Sequence, residues 1–265
     1  MSRRKLLTLM DNTAKILPDN KQFLVDVMSA IERKDALERN PGSNWYKPSS
    51  LNCMRQMYFT RIGAERDTSL TEYKSIGMAD TGTRRHEAIQ EVLLDMLRLG
   101  YDWEYVDVDD YVEKKQAKGK CTTIVVKERV GAETKLFDTA LKISFRCDGI
   151  IRKVSTNEYF LFEFKNQTSF KFRDKEAVDE AHKKQVTCYC TALDLDKAFV
   201  LYENRDVCEL ECPELFIVTS EMKEKLVSHL MECEGYVERF VAPPKNETPK
   251  LCRWCPFKTA CKKVG

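Results

Sequence analysis

The segment EYFLFEFK, residues 158–165, sets a carboxylate and an ammonium two residues apart in a run rich in aromatic side chains. Side chains of a strand alternate faces, so Glu163 and Lys165 share one face. Phe160, Phe162, Phe164 and Glu158 take the other, and burying that face leaves the Glu163–Lys165 pair on the open one. Asp148 ends the preceding apolar strand, LKISFRCDGII, and a hairpin through 152–157 brings it beside Glu163. Gly149 follows and lets a ligand or another backbone approach closely. Two carboxylates and a lysine on neighbouring strands make a hard-oxygen site suited to Mg²⁺ or Mn²⁺. Such a cation polarises a phosphodiester and lowers the pKa of a bound water. The lysine can orient that water or stabilise developing negative charge. The same E-x-K pattern also fits a surface ion pair on an edge strand.

Further polar residues sit on helical patterns to either side. His86, one of three histidines, lies at the edge of the apolar face made by Ile89, Val92, Leu93, Met96 and Leu97. It suits a metal ligand, a substrate contact or a structural histidine. Gln185 and Tyr189 are spaced i and i+4, so they share a helix face. An amide and a phenol there can bond a phosphate or stack a base, or simply rim an amphipathic helix. Arg84, Arg85, Lys183 and Lys184 flank these positions as candidate phosphate contacts.

Eleven cysteines are too few for a disulfide scaffold, and the odd number points to reduced thiols and metal ligation. Cys252, Cys255 and Cys261 follow a C-x2-C-x5-C pattern, whose short gap brings two thiolates to one metal. Cys53, early in a helix beside Arg55, is the best distant fourth ligand. Four thiolates suit either [4Fe–4S] or structural zinc. Trp254, between two of these cysteines, can stack a base or shield the cluster. The remaining seven cysteines fall within strand or helix patterns and read mostly as small buried hydrophobes.

The elements that must position these residues follow from periodicity. Helices are expected over 20–38, from a cap at Ser49 or Ser50, over 75–99, 175–192 and 220–240. Strands are expected at 103–108, 122–128, 141–151, 158–165 and 197–204. The order reads as a mixed α/β sheet flanked by helices. Residues 1–48 form an N-terminal helical segment and 49–265 a single domain, with a long charged insertion at 101–140 and a loop-like cysteine tail at 241–265. The 265 residues carry 44 Lys plus Arg against 42 Asp plus Glu, a balance that excludes a bulk polycation but allows a local basic groove. No run approaches a membrane span, and no secretion signal is read at the start.

Taken in order, His86, Asp148, Glu163-Phe164-Lys165 and Gln185-Val186-Thr187-Cys188-Tyr189 resemble the RecB-type nucleases of the PD-(D/E)XK superfamily. Cys53 with Cys252, Cys255 and Cys261 is similar to the iron–sulfur branch, which includes the AddB nuclease domain and the CRISPR-associated exonucleases of the fourth Cas family. The resemblance covers roughly residues 50–262. It implies a restriction-endonuclease-like mixed sheet with a cysteine-ligated cap joining an N-terminal helix to the tail. It implies a metal-dependent deoxyribonuclease acting on single-stranded DNA ends, in the cytoplasm, with recombination, phage-replication or CRISPR-adaptation partners. A trimming endonuclease and a non-catalytic DNA-binding module are the alternatives. Asp148, Glu163, His86 and the Phe164 carbonyl would hold Mg²⁺ or Mn²⁺, and Lys165 would assist the attacking water. Gln185 and Tyr189 would lie near the DNA path, and the four cysteines would bind [4Fe–4S]. Cys147 stands where the superfamily pattern has proline, and no G-x-x-x-x-G-K-[ST] motif is present.

Overall fold

The computed structural model describes residues 18–38, 43–67, 71–130, 133–173, 175–246, 249–253 and 255–264. The chain groups into two compact units, 1–41 with 68–81 and 42–67 with 82–265. The first unit contains helix α1 (Asp19–Glu38), which forms where the apolar spacing predicts. Of the expected apolar positions only Met28 is buried, and Phe23, Leu24, Val27 and Ile31 are exposed.

The second unit holds two sheets. A short 3-10 turn at Pro48–Ser50 precedes α2 (Met54–Arg61), while α3 (Tyr73–Asp95) contributes its residues from 82 onward. The larger sheet uses β1 (Trp103–Val106), β5 (Gly149–Lys153), β6 (Glu158–Gln167), β7 (Lys197–Asn204), β8 (Glu209–Glu211) and β9 (Leu215–Ile217). Its order is β1-β5-β6-β7-β8, with β9 also on β7. Every pairing is antiparallel except β6 with β7, which are joined through α5 (Ser169–Phe172) and α6 (Glu180–Leu193). The smaller antiparallel sheet is β2 (Ile124–Val130), β3 (Glu133–Asp138) and β4 (Ile143–Cys147). Helix α4 (Val108–Gln116) lies between β1 and β2, and α7 (Ser220–Glu238) follows β9. Thr219 caps α7 by accepting from the Met222 N–H. The tail carries short helices α8 (Pro249–Cys252) and α9 (Lys258–Lys263). Among the described residues no helix is long and apolar enough to cross a membrane.

Several expectations are corrected. The apolar run 141–151 is two strands in different sheets, and Asp148 is the residue at which the chain crosses between them. Gly149 permits that turn. It has φ of 156°, and a Cβ there would come within 2.4 Å of the Tyr105 ring. The insertion 101–140 holds the two strands expected in it, as β1 and β2, and adds α4 and β3, which were not expected. The helix expected from 175 begins at Glu180. Ser50 does not cap α2: its hydroxyl donates to the Lys47 carbonyl, and Cys53 occupies the cap position. On α3, Ile89 and Leu93 are buried but Val92 is exposed, and Leu97, beyond the helix end, is exposed too. Glu163 is not on an open face. Both faces of β6 are covered, by Ile89 and Leu93 of α3 against Phe162 and Phe164 on one side and by α6, whose Gln185 bonds Glu163, on the other, and Glu163 is only 3% exposed.

A polar network ties α2 and α7 to the small sheet. The Glu234 carboxylate accepts from Tyr46 Oη at 2.6 Å and Arg61 Nε at 2.7 Å, and pairs with Lys142. Burial would raise its pKa, but Arg61, Lys142 and Tyr46 outweigh that and hold it down at about 2. A carboxyl depressed on folding contributes stability above its unfolded value, lost as pH falls toward the folded one. Urea titrations should therefore show wild type more stable than Glu234→Gln at neutral pH. That gap should close between about pH 4.5 and 2.

Candidate active site

The register of the larger sheet brings the acidic residues together. Gly149 pairs with Phe162 across β5 and β6, which sets Asp148 beside Glu163 as the hairpin predicts. Asp148 Oδ2 accepts the Phe164 N–H at 2.7 Å. Its backbone carbonyl accepts from Gln90 Nε2 at 2.6 Å and Tyr105 Oη at 3.3 Å. His86 Nδ1 lies 3.1 Å from Asp148 Oδ1, an ion-pair approach rather than a straight hydrogen bond. The His86 ring meets Phe164 edge to face, with centroids 4.9 Å apart.

Glu163 Oε1 accepts from Lys165 Nζ at 2.6 Å and Gln185 Nε2 at 3.0 Å. Gln185 Nε2 also approaches Tyr189 Oη at 2.6 Å. The other oxygen, Oε2, is buried without a hydrogen-bond partner. Burial first, and then the Asp148 carboxylate, push the Glu163 pKa up to about 7 against the pull of Lys165 and His86. Burial would lower His86, but Asp148 outweighs it and the pKa rises. Tyr189 is driven well above its usual value by burial and then by Glu163.

His86, Asp148, Glu163, Phe164 and Lys165 therefore meet at one place, with Gln185 and Tyr189 behind Glu163. Tyr189 is only 4% exposed and stacks on Phe145, so its ring is closed to a base, and its hydroxyl instead meets the amide that holds Glu163. Arg84 is exposed. Arg85 is committed elsewhere, since its guanidinium grips the buried Glu203 through Nε at 3.0 Å and through Nη2. Asn166 donates to the same carboxylate at 2.8 Å. Lys183 pairs with Glu180 at 3.0 Å, and Lys184 is exposed.

Two groups of residues escape the sequence reading. Gln90 sits one turn beyond His86 on α3, and the i, i+4 spacing is the signal that could have found it. A second polar cluster lies beside the first on α6 and β7: Asp179 accepts from Lys175 at 2.6 Å and Gln167 at 2.9 Å, and His182 Nδ1 lies 2.9 Å from Tyr202 Oη. Burial, and then the Lys165 charge, push His182 down to about 4.

Cys53, Cys252, Cys255 and Cys261 line one cavity of about 190 Å³. Buried Arg55 reaches Cys261 Sγ at 3.4 Å and the Pro243 carbonyl at 3.0 Å. Asp67 accepts from the N–H groups of Lys258 and Thr259 and so fixes the start of α9. Burial raises the Cys255 thiol, and the neighbouring cysteines add to this. Among the described residues, no three His, Cys, Asp or Glu side chains come close enough together to hold a metal ion. Trp254 lies outside the described residues. Cys147, Cys188, Cys190 and Cys233 are buried as expected, while Cys121 is half-buried and Cys208 and Cys212 are exposed.

No family model matches the chain, and no curated protein matches it. A solved structure titled "Crystal structure of SSO0001" aligns over 92% of this chain and 98% of that one, with 15% identity and a TM-score of 0.46.

The Arg85–Glu203 pair separates two neighbouring arginines by stability. Arg85→Ala leaves a buried carboxylate without its cation and should destabilise by roughly 2–3 kcal/mol, discounted because Arg85 is partly exposed. Arg84→Ala should be neutral within about 0.5 kcal/mol. Chemical denaturation of both variants measures the difference.

Proposed function

We propose that the chain is a divalent-metal-dependent DNA exonuclease of the RecB-like, PD-(D/E)XK kind, acting on single-stranded ends. The observation that carries this reading is the meeting of Asp148, Glu163 and Lys165 around Phe164, with one Glu163 oxygen buried and unpaired. A buried carboxylate oxygen without a partner is costly unless a cation or donor reaches it. Hard oxygen donors fit Mg²⁺ or Mn²⁺, which Asp148, Glu163, His86 and the Phe164 carbonyl would hold. When bound, the cation would polarise the scissile phosphate and lower the pKa of a water.

The chain's own residues do the remaining work. The Phe164 N–H orients Asp148 Oδ2, while Gln90 and Tyr105 fix the Asp148 backbone. Gln185 and Lys165 hold Glu163 Oε1 in place. The Lys165 ammonium, held against Glu163 Oε1 at 2.6 Å, would orient the attacking water and offset charge on the phosphate oxygens. Gln185 and Tyr189 are positioning residues in this scheme.

The restriction-endonuclease-like description of the sheet and the cysteine-ligated cap belong to the same proposal. Four thiols around one cavity suit [4Fe–4S] or zinc, and closing them would bind the start of α2 to the tail. A cytoplasmic setting accords with free cysteines.

The test is digestion of end-labelled single-stranded DNA with Mn²⁺. Asp148→Ala should fall to background. Lys165→Ala should lose at least ~10²-fold while circular dichroism stays that of wild type. Cleavage unchanged in both variants would overturn the assignment. Anaerobically purified wild type should carry iron or zinc, and Cys255→Ala should lose that metal and melt earlier. Full metal content in Cys255→Ala would remove that residue from the ligand set.

A further inference from the structure

Tyr189 is closed against Phe145, so an aromatic ring open to a base near the acidic residues must come from elsewhere. Phe170 is such a ring. It is 89% exposed, which leaves both of its faces open, and no other large apolar side chain among the described residues is more exposed. It sits on α5, the short helical turn that follows β6. From Lys165 the strand runs three residues, about 10 Å, to Thr168 at the start of that turn.

A lone exposed Phe needs no explanation by itself. What gives this one a role is how it is held and what lies beside it. Phe172 is buried in the core, and two residues make about 200° of helix, so Phe170 is turned the other way. Asp206 Oδ2 accepts the Ser169 N–H at 2.9 Å and lies 2.6 Å from Ser169 Oγ, which is also 3.0 Å from Asn204 Oδ1. The Lys171 and Phe172 N–H groups both donate to the Thr168 carbonyl at 2.9 Å. The turn is fastened to β7 and the core before any ligand arrives, so little ordering is left to cost on binding.

After burial, the charges that act on the His182 ring are those of Lys165, Asp179, Lys175 and Lys171. The turn therefore shares one electrostatic neighbourhood with the acidic site. Lys165 is held by Glu163 and Lys175 by Asp179. Lys171 is exposed, and among the described residues it enters no ion pair. The acids of the same stretch are Asp206, taken up by Ser169, and exposed Glu176, while Asp174 lies outside the described residues. Acids and cations are thus near balance. Charge alone would not hold a polyanion here, and a stacking ring must supply most of the grip.

We propose that Phe170 is the stacking wall of a nucleotide subsite for single-stranded DNA, with a base against its ring and a neighbouring phosphate on Lys171. The identity of the polymer rests on the nuclease reading. At ~3.4 Å per stacked nucleotide, the subsite holds the strand about three nucleotides from Lys165. Stacking accepts any base, so the strand is gripped without its sequence being read. A duplex gains nothing from the ring, because its bases are already stacked on one another.

The test separates binding from cleavage. Anisotropy of a fluorescein-labelled oligodeoxythymidylate is measured on full-length Asp148→Ala protein without added divalent cation, over a range of salt. Phe170→Ala in that background should weaken binding roughly 5- to 150-fold, and Phe170→Trp should keep it. On an abasic strand of the same length, at low salt where the backbone alone is held, Phe170→Ala should change nothing. Lys171→Ala should lower the salt slope by ~0.7. Both side chains are exposed, so thermal midpoints should stay at the parent's value. Equal affinity of Phe170→Ala and parent for the oligothymidylate would overturn the subsite, and so would an equal loss on the abasic strand. An unchanged slope in Lys171→Ala would overturn the phosphate contact. Wild type assayed with Mn²⁺ keeps the two readings apart. Cleavage by wild type with unaltered binding in Phe170→Ala removes the subsite and leaves the nuclease. Absence of cleavage with weakened binding in Phe170→Ala removes the nuclease and leaves the subsite.

Discussion

Asp148 is held by backbone before it is held by any side chain. The strand run from 143 to 153 belongs to two sheets, and Asp148 is the joint between them. On one side β4 continues the small sheet, and on the other β5 pairs with β6 in a register that sets Gly149 against Phe162. The Phe164 N–H then reaches Asp148 Oδ2. Because the acceptor is a carboxylate and the donor a fixed amide, the bond is charge-assisted and leaves little rotational freedom. Everything else at the site is arranged around that fixed carboxylate, including the His86 ring, Gln90 and Glu163.

The consequence is an electrostatic conflict at the centre of the sheet. Two carboxylates are buried side by side, and Lys165 and His86 are the cations set against them. Burial and mutual repulsion disfavour ionising both, which is why Glu163 titrates so high. Perturbed groups concentrate at functional sites, and structural ion-pair networks perturb pKa values as well. Glu234 behaves in the opposite way. Its three partners hold it well below the ordinary carboxylate range, as suits a group whose work is to fasten elements together.

Around this centre the second unit uses polar anchors where a small apolar core cannot set orientation alone. The cluster of Ile89, Leu93, Ile151, Phe162 and Phe164 is small, and the Arg85–Glu203 grip adds direction to the α3 residues that carry His86. Asp67 does a comparable job for the tail by fixing the start of α9 near Cys255 and Cys261. These are long-range pairings between loops, helices and strands, and they determine geometry more than they add stability.

Periodicity made the main elements legible. The residue alternation in EYFLFEFK placed Glu163 and Lys165 together, and the turn at 152–157 foretold the β5–β6 pairing beside Asp148. The C-x2-C spacing and one distant thiol pointed to four cysteines that line one cavity, while among the described residues no three of them come close enough together to hold a metal. Local pattern carries such information because strand and helix periods are short-range properties. What local pattern cannot carry is which sheet a strand joins. A continuous apolar run through Asp148 looks the same whether it stays in one sheet or crosses to another, and only the partners of Cys147 and Gly149 decide it. The burial of Glu163 needs α6 laid across that face of β6, where Gln185 bonds it. The Arg85–Glu203 grip joins residues 118 positions apart, and the Tyr189 ring on α6 closes against Phe145 of the small sheet. Those contacts exist only once the chain has folded, so tertiary structure alone assigned them.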